Sequence, residues 1–337
     1  MSQWGPNPKS LTPSQEEESS TGSTPQGVDE AYSAFLPKQK SKWFEILPFF
    51  LSAVFFLTAF FAVFAPLPIL FTFVRRGRKW AYLASLTNAF CVGWMAGSVS
   101  LILFLVFSVT VALVLGEAVT RKKTLEKTVI LTLGAMVLVG VSLGLSYARV
   151  HHLNPLHQLK ERVSSVVDYF GNSTQNPWLN QEGEEDPGLR EEFKNSLVLE
   201  FPSGVAIFSL ITVWSNLLIL LGANPNRIRE KLGLEPGCLK KWKAPDVLVW
   251  PTIVSGALLL LNLNGVSVVA LNVFKFLMAI YAIQGLSILS FFFDMWSIRG
   301  FLRVLGFSLS VLFMMPLVLS LGFFDLWFDF RAKFRQS

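Results

Sequence analysis

One lysine stands inside a long uncharged stretch. Between residues 247 and 293 the only charged side chain is Lys275. An ammonium at membrane depth is costly, and such groups commonly face a bundle interior or a cavity, where they bind an anionic group or pair with a buried acid. The competing explanation is snorkelling, because Lys275 lies about 12 Å from the start of its predicted helix at the usual rise per residue. Asn272 is three residues earlier and shares the face of Lys275. Gln284 is nine residues later, half a turn off, so a straight helix does not place it in the same pocket. Asn88 lies within a helix predicted over 80–96, and Asn216 lies in "TVWSNLLILL". Asn88, Asn272, Lys275 and Gln284 are the candidate residues for binding a small-molecule substrate.

Other chemistry is thin. The chain has no Walker A loop, no GxSxG, no HExxH and no CxxC pair. His151, His152 and His157 are close in sequence, but their spacing does not put three imidazoles on one helix face, so no metal site is expected. Cys91 and Cys238 have no metal spacing, and their expected environments, lipid and cytoplasm, do not favour a disulfide. "RRGRKW" (75–80) can attract anionic lipid headgroups, but a short positive-inside loop between spans explains it without a ligand and is the preferred reading. Glu117 sits beside local bases and is expected to pair with them. No enzyme activity and no cofactor are predicted.

The elements that hold these residues follow from composition. The chain has 337 residues, 52% of them hydrophobic and 15% charged. A soluble domain carries about 25% charged residues, so the shortfall points to a membrane. The net charge of +6 is better read with topology than as a nucleic-acid signal. Uncharged runs occupy 49–74, 81–116, 128–148, 201–226, 247–274, 276–293 and 304–324. A span needs about 20 residues. The run 81–116 is too long for one helix and is expected to break at "MAGSVS" (95–100). The stretch 247–293 is expected to break at "NLNG" (262–265). In the first run "APLP" (65–68) supplies Pro66 and Pro68, which suggests a full span to about Val63 and then a short helix over 67–75. No β-barrel alternation is present, so only helices can satisfy the backbone in lipid. The expected fold is all-α: a polytopic transmembrane bundle with about eight full spans and one short broken helix. Small residues in "LGAMVLVGVSLG" (133–144), including the GxxxG of Gly140 and Gly144, predict close helix packing there.

Residues 1–42 are rich in Ser, Thr, Pro, Gln and Glu and are expected to form a disordered cytoplasmic tail without a cleavable signal peptide. The transmembrane domain is expected over 44–331. "RRGRK" carries +4, "RKKTLEK" (121–127) +3 and residues 227–243 +4, whereas 149–202 holds five bases and nine acids. The positive-inside rule then places the basic loops and the N-terminus in the cytoplasm, the acidic loop outside, and the C-terminus outside as well. Within the acidic loop, Leu156, Leu159, Val163, Val166, Val167 and Phe170 recur at helical spacing, which predicts an amphipathic helix near 155–170. Residues 172–196 are expected to be a flexible excursion.

The chain ends on "GFFDLWFDFRAKF" (322–334). Its aromatics fit an interfacial belt, but two acids do not fit a simple anchor. If the helix continues, Asp325 and Asp329 share a face and Asp329 reaches Lys333 at i,i+4. One of these acids is expected to pair with a base inside the bundle or at its rim. Three segments together, "APLPILFTFVRRGRKWAYLA" (65–84), "ALNVFKFLMAIYAIQGLSIL" (270–289) and "GFFDLWFDFR" (322–331), resemble the YybS-like predicted membrane proteins of bacteria, a domain family without assigned activity. The resemblance covers about residues 44–331 and marks Pro66, Pro68, Gly77, Gly285, Asp325, Asp329 and Arg331 as structural signature positions. That family is distantly similar to the substrate-binding membrane subunits of energy-coupling-factor vitamin transporters, which share the early "PLP" break but are smaller, with fewer spans. The resemblance implies a multi-pass protein of the bacterial inner membrane, in contact with lipid, binding or transporting a small-molecule ligand. The alternative is a scaffold or envelope assembly factor acting through a protein partner at the cytoplasmic face.

Overall fold

The computed structural model describes residues 47–334 apart from 122, 153, 172–186, 224–241, 262 and 264. The expected tail, Cys238, most of the basic loop 227–243 and two residues of "NLNG" lie outside the described residues, which contain helices, turns and no strand. Four helices are long and apolar enough to cross a membrane, or up to five if one bent pair counts as a single span. Eight full spans were expected.

The first helix, α1 (Pro48–Leu57), has ten residues and rises about 15 Å, half the thickness of a hydrocarbon core. The expected full span to Val63 is therefore absent. The chain turns at Ala59, where φ is 55°, and makes a 3-10 turn over Ala62–Phe64. It then enters α2 (Pro66–Arg76), with Pro66 and Pro68 near its start, where a missing N–H is tolerated. The Ser52 hydroxyl donates to the Ala65 carbonyl and ties α1 to this turn. Helix α2 has eleven residues and is too short to span. It is a core helix: Leu67, Ile69, Leu70 and Phe73 are all buried. Gly77 ends it at φ 93°, a conformation that a side chain would strain.

The next helical stretch, α3 (Arg78–Thr120), is not one rod. Gly97 has φ 80° and ψ −178°, inside the expected "MAGSVS" break. Arg78 Nη2 donates to Glu117 Oε1 at 2.6 Å, although 39 residues separate them. A straight helix would hold those two residues about 58 Å apart. The arms on either side of Gly97 are thus antiparallel, and Arg121 Nε closes the same end by binding Glu117 at 2.6 Å. Ala81, Ala84, Ser85, Asn88 and Val92 form the buried face of the first arm at helical spacing.

Helix α4 (Leu125–Val150) buries only its first half, through Leu125, Thr128, Val129, Thr132 and Met136. The expected close packing at its glycines is mostly absent. A Cβ at Gly140 would touch Val106 at 3.6 Å, while one at Gly134 or Gly144 would meet nothing within 4 Å. Helix α5 (Pro155–Gly171) is the expected amphipathic helix. Helix α6 (Pro187–Ala223) begins well before its apolar run, so 187–196 is helical rather than a flexible excursion. Proline at its first position and closely spaced charges support that extension. Asp168 of α5 joins the two helices: its Oδ1 takes Arg190 at 2.5 Å and Lys194 at 3.2 Å.

These contacts hold the Asp168 carboxyl below its ordinary value, first through the hydrogen bonds from Lys194 and Arg190. A carboxylate with a lowered pKa stabilises the docked state above its ordinary value near 3.8, and that contribution disappears as pH falls through the lowered one. Helix α5 should therefore stay docked at neutral pH and loosen below pH 3.8. Protection of the α5 amides, taken as exchange relative to the intrinsic rate at each pH, should fall on acidification of the native protein. In Asp168→Asn that protection should be lower already at neutral pH and should change less with acid.

The remaining helices are α7 (Val249–Leu260), α8 (Val266–Met295), α9 (Phe301–Phe313), α10 (Met315–Phe328) and the single turn α11 (Phe330–Lys333). Helix α7 has twelve residues, shorter than the span expected there. Gly265, at φ 77°, opens α8 after the expected break. The last expected span, 304–324, is bent by 95° between α9 and α10. Pro316 is the cause, since its ring excludes the carbonyl that a continuous helix would place there.

Candidate functional site

Of the amides expected at membrane depth, Asn88, Asn216 and Gln284 are buried and Asn272 is half-buried, and each binds backbone. Asn88 is fully buried; its Nδ2 donates to Pro48 O at 3.1 Å and to Ala84 O at 2.7 Å, and its Oδ1 accepts from Ala53 N at 2.8 Å. It clips α1 to α3. Asn216 Nδ2 donates to Val63 O at 2.7 Å, in the 3-10 turn between α1 and α2. Asn272 spans an opened turn of α6 immediately after Pro202: its Oδ1 accepts from Ser203 N at 2.8 Å and its Nδ2 donates to Leu199 O at 2.9 Å. Those are the two groups that an unbroken helix would join to each other. Gln284 Oε1 accepts from Ala244 N at 3.0 Å, and its Nε2 donates to Asp325 Oδ2 at 3.1 Å. Broken backbone inside a bundle needs such partners. Asn88, Asn272 and Gln284 are therefore occupied in holding irregular turns.

The signature end of the chain is a second polar centre. Asp325 is fully buried, and its Oδ2 takes Arg331 Nη2 at 2.8 Å while its Oδ1 takes Phe330 N at 3.0 Å. Arg331 is itself buried and donates Nη1 to Trp242 O at 2.9 Å. A continuing helix would carry Arg331 elsewhere on its surface, away from Asp325. Asp329 instead adopts a left-handed conformation, φ 40° and ψ 60°, which ends α10 and folds Arg331 back onto Asp325. Asp329 opens the next turn, its carbonyl accepting from Lys333 N at 3.3 Å, and the Lys333 ammonium lies over the Phe328 ring. Gly285, beside Gln284, sits where α8 crosses α10 at close range.

Lys275 is different. Its Nζ meets Glu200 Oε2 of α6 at 2.6 Å, and both side chains are only partly covered. Both line an open cavity of about 630 Å³ between α1, the second arm of α3, α6 and α8. The rest of the wall is almost wholly apolar, with Phe56, Leu103, Phe107, Phe201 and Phe208 contributing side chains. Phe107 and Phe208 stack edge to face at 5.2 Å between centroids. Ser203 and Gly204 complete the α6 wall next to the turn that Asn272 holds open. The structure thus brings Lys275 and Asn272 to one segment of α6, while Asn88 and Gln284 lie at other joints. Sequence reasoning missed Glu200. Its one signal was position, the last acid before the apolar run starting at 201.

A cavity with this composition can hold an apolar body and present one cation and one anion to it. Among the described residues no group of three or more His, Cys, Asp or Glu could hold a metal ion. Residues 44–326 match the family described as "Predicted membrane protein (DUF2232)". The chain belongs to that family. Its match to the DUF2232 family contains the cavity, all four amides, Gly285 and Asp325, and ends before Asp329 and Arg331. No curated protein and no solved structure matches this DUF2232 protein.

Proposed function

We propose that the protein binds a small amphipathic molecule within the membrane, in the cavity lined by the Lys275–Glu200 pair, and passes it across or along the bilayer. The observation that supports this reading is an apolar cavity of about 630 Å³ whose wall carries one ion pair. Pockets for small molecules are concave, mostly apolar and fixed by a few polar groups. Ionisable residues at membrane depth usually mark substrate paths. The resemblance to YybS-like proteins, and through them to energy-coupling-factor substrate-binding subunits, fits a binding component rather than an enzyme. On this reading the protein resides in a bacterial inner membrane with its N-terminus and basic loops in the cytoplasm, in keeping with their charge.

Gly204 provides the test. It lines the cavity, and a Cβ there would meet nothing within 4 Å. Gly204→Leu should therefore fill the cavity without disturbing the fold. An alkyl diazirine amphiphile should label Leu103, Phe107 and Phe208 in the native protein, compete with unlabelled amphiphile, and fail to label Gly204→Leu of unchanged melting temperature. Uniform labelling of the lipid-facing surface, insensitive to Gly204→Leu, would refute binding in the cavity and favour a protein that only supports a partner.

A further inference from the structure

The ion pair constrains the head group that the cavity accepts. Lys275 and Glu200 contact each other at 2.6 Å and are uncovered to the same degree, 36% and 38% of their side chains. Among the described residues neither has a second ionic partner. Among the described residues the pair is the cavity's only charged feature, and it is neutral as a unit. Removing one partner from a charge pair leaves the other uncompensated, at a cost that grows as the site is shut off from water. An anionic head taken by Lys275 would displace Glu200 and leave a carboxylate beside a second anion. A cationic head taken by Glu200 would strand the ammonium in the same way. A neutral head gains little from either charge.

We infer that the cavity selects a zwitterionic amphiphile, with a primary ammonium that donates to Glu200 and a phosphate or carboxylate that accepts from Lys275. This inference rests on the proposed binding reading and names its ligand class. Such a head opens the pair and leaves four charges alternating in sign, so no charge is left without a partner. The chains then lie against Leu103, Phe107 and Phe208.

Competition against the alkyl diazirine label in a non-ionic detergent tests this. Dioctanoyl phosphatidylethanolamine should compete about tenfold better than dioctanoyl phosphatidylglycerol or dioctanoylglycerol, the step expected when one head leaves no unpaired charge. Free phosphoethanolamine separates a lipid from a soluble ligand with the same head. It should fail to compete, because it leaves the apolar wall empty; competition equal to that of the lipid would overturn an amphiphilic ligand. Glu200→Gln should shift preference to phosphatidylglycerol, and Lys275→Gln to an alkylamine. The exchanged pair Lys275→Glu with Glu200→Lys should restore the preference for phosphatidylethanolamine, which also shows that the variants fold. Equal competition by all head groups, or a ranking unchanged by the single variants, would overturn the inference while leaving cavity binding intact. No competition by any amphiphile would overturn both.

Discussion

Replacing Arg331 by Met is expected to destabilise the protein by about 3–5 kcal/mol, the range for removing one partner of a buried ion pair. Asp325 has no exposed surface, and Arg331 is 6% exposed. Without the guanidinium, Asp325 keeps only the Gln284 amide at 3.1 Å and the Phe330 N–H at 3.0 Å. Two neutral donors do not offset a desolvated charge. The same replacement frees the Trp242 carbonyl that Arg331 binds at 2.9 Å, so the segment before α7 loosens with the end of the chain. Lysine should not rescue the loss, since one ammonium does not reproduce the two-armed reach to Asp325 and Trp242. The double variant Asp325→Asn with Arg331→Gln should recover part of the stability, because it leaves hydrogen bonds and no charge. Thermal unfolding in detergent measures all four proteins. A melting temperature for Arg331→Met equal to that of the native chain would show that the pair does not hold this end.

The length of an apolar run and the place of its punctuation were legible. Gly97 falls inside "MAGSVS", Gly265 is the last residue of the break at 262–265, and Pro66 and Pro68 open a new helix. Helix α5 was legible because amphipathic spacing is a local signal. Its extent, Pro155–Gly171, agrees with the apolar positions. What a run does beyond its punctuation was not legible. Hydropathy does not distinguish a span from a ten-residue helix and a turn, because both are apolar when other helices cover them. The run holding α1 stops at Leu57 for tertiary reasons: Asn216, far along the chain, holds the Val63 carbonyl of the turn, and Ser52 ties the turn back to α1. The bend before α10 had a local signal in Pro316 that the uncharged run obscured. The partner of Lys275 was hidden because Glu200 is 75 residues away in sequence, and spacing within one helix carries no information about it. The same holds for Gln284 and Asp325, which are 41 residues apart.

Gly285→Ala should damage the protein more than any other single added methyl among its helical glycines, except its counterpart Gly322→Ala. A Cβ at Gly285 would stand 2.0 Å from the Val318 carbonyl oxygen, and one at Gly322 would stand 1.9 Å from that of Tyr281. A carbon and a carbonyl oxygen approach to about 3.3 Å at closest. The obstructing atoms are backbone, so no rotamer change relieves them, and α8 and α10 must separate. That movement would stretch the Gln284–Asp325 hydrogen bond one residue away, and the buried Arg331 pair depends on the same joint. The cost should reach or pass the upper end of the about 1–3 kcal/mol usual for an overfilled core. Gly134→Ala and Gly144→Ala are the controls, because a Cβ at either meets nothing within 4 Å. Both sit inside a helix, where alanine is favoured over glycine by about 1 kcal/mol, so they should be neutral or slightly stabilising. The expected ranking is the reverse of what the GxxxG spacing suggests. Glycine spacing on one helix says that a close approach is sterically allowed; only the facing backbone decides whether it occurs. If Gly144→Ala lowers the melting temperature more than Gly285→Ala, the tight crossing lies on α4 and the α8–α10 joint described here is wrong.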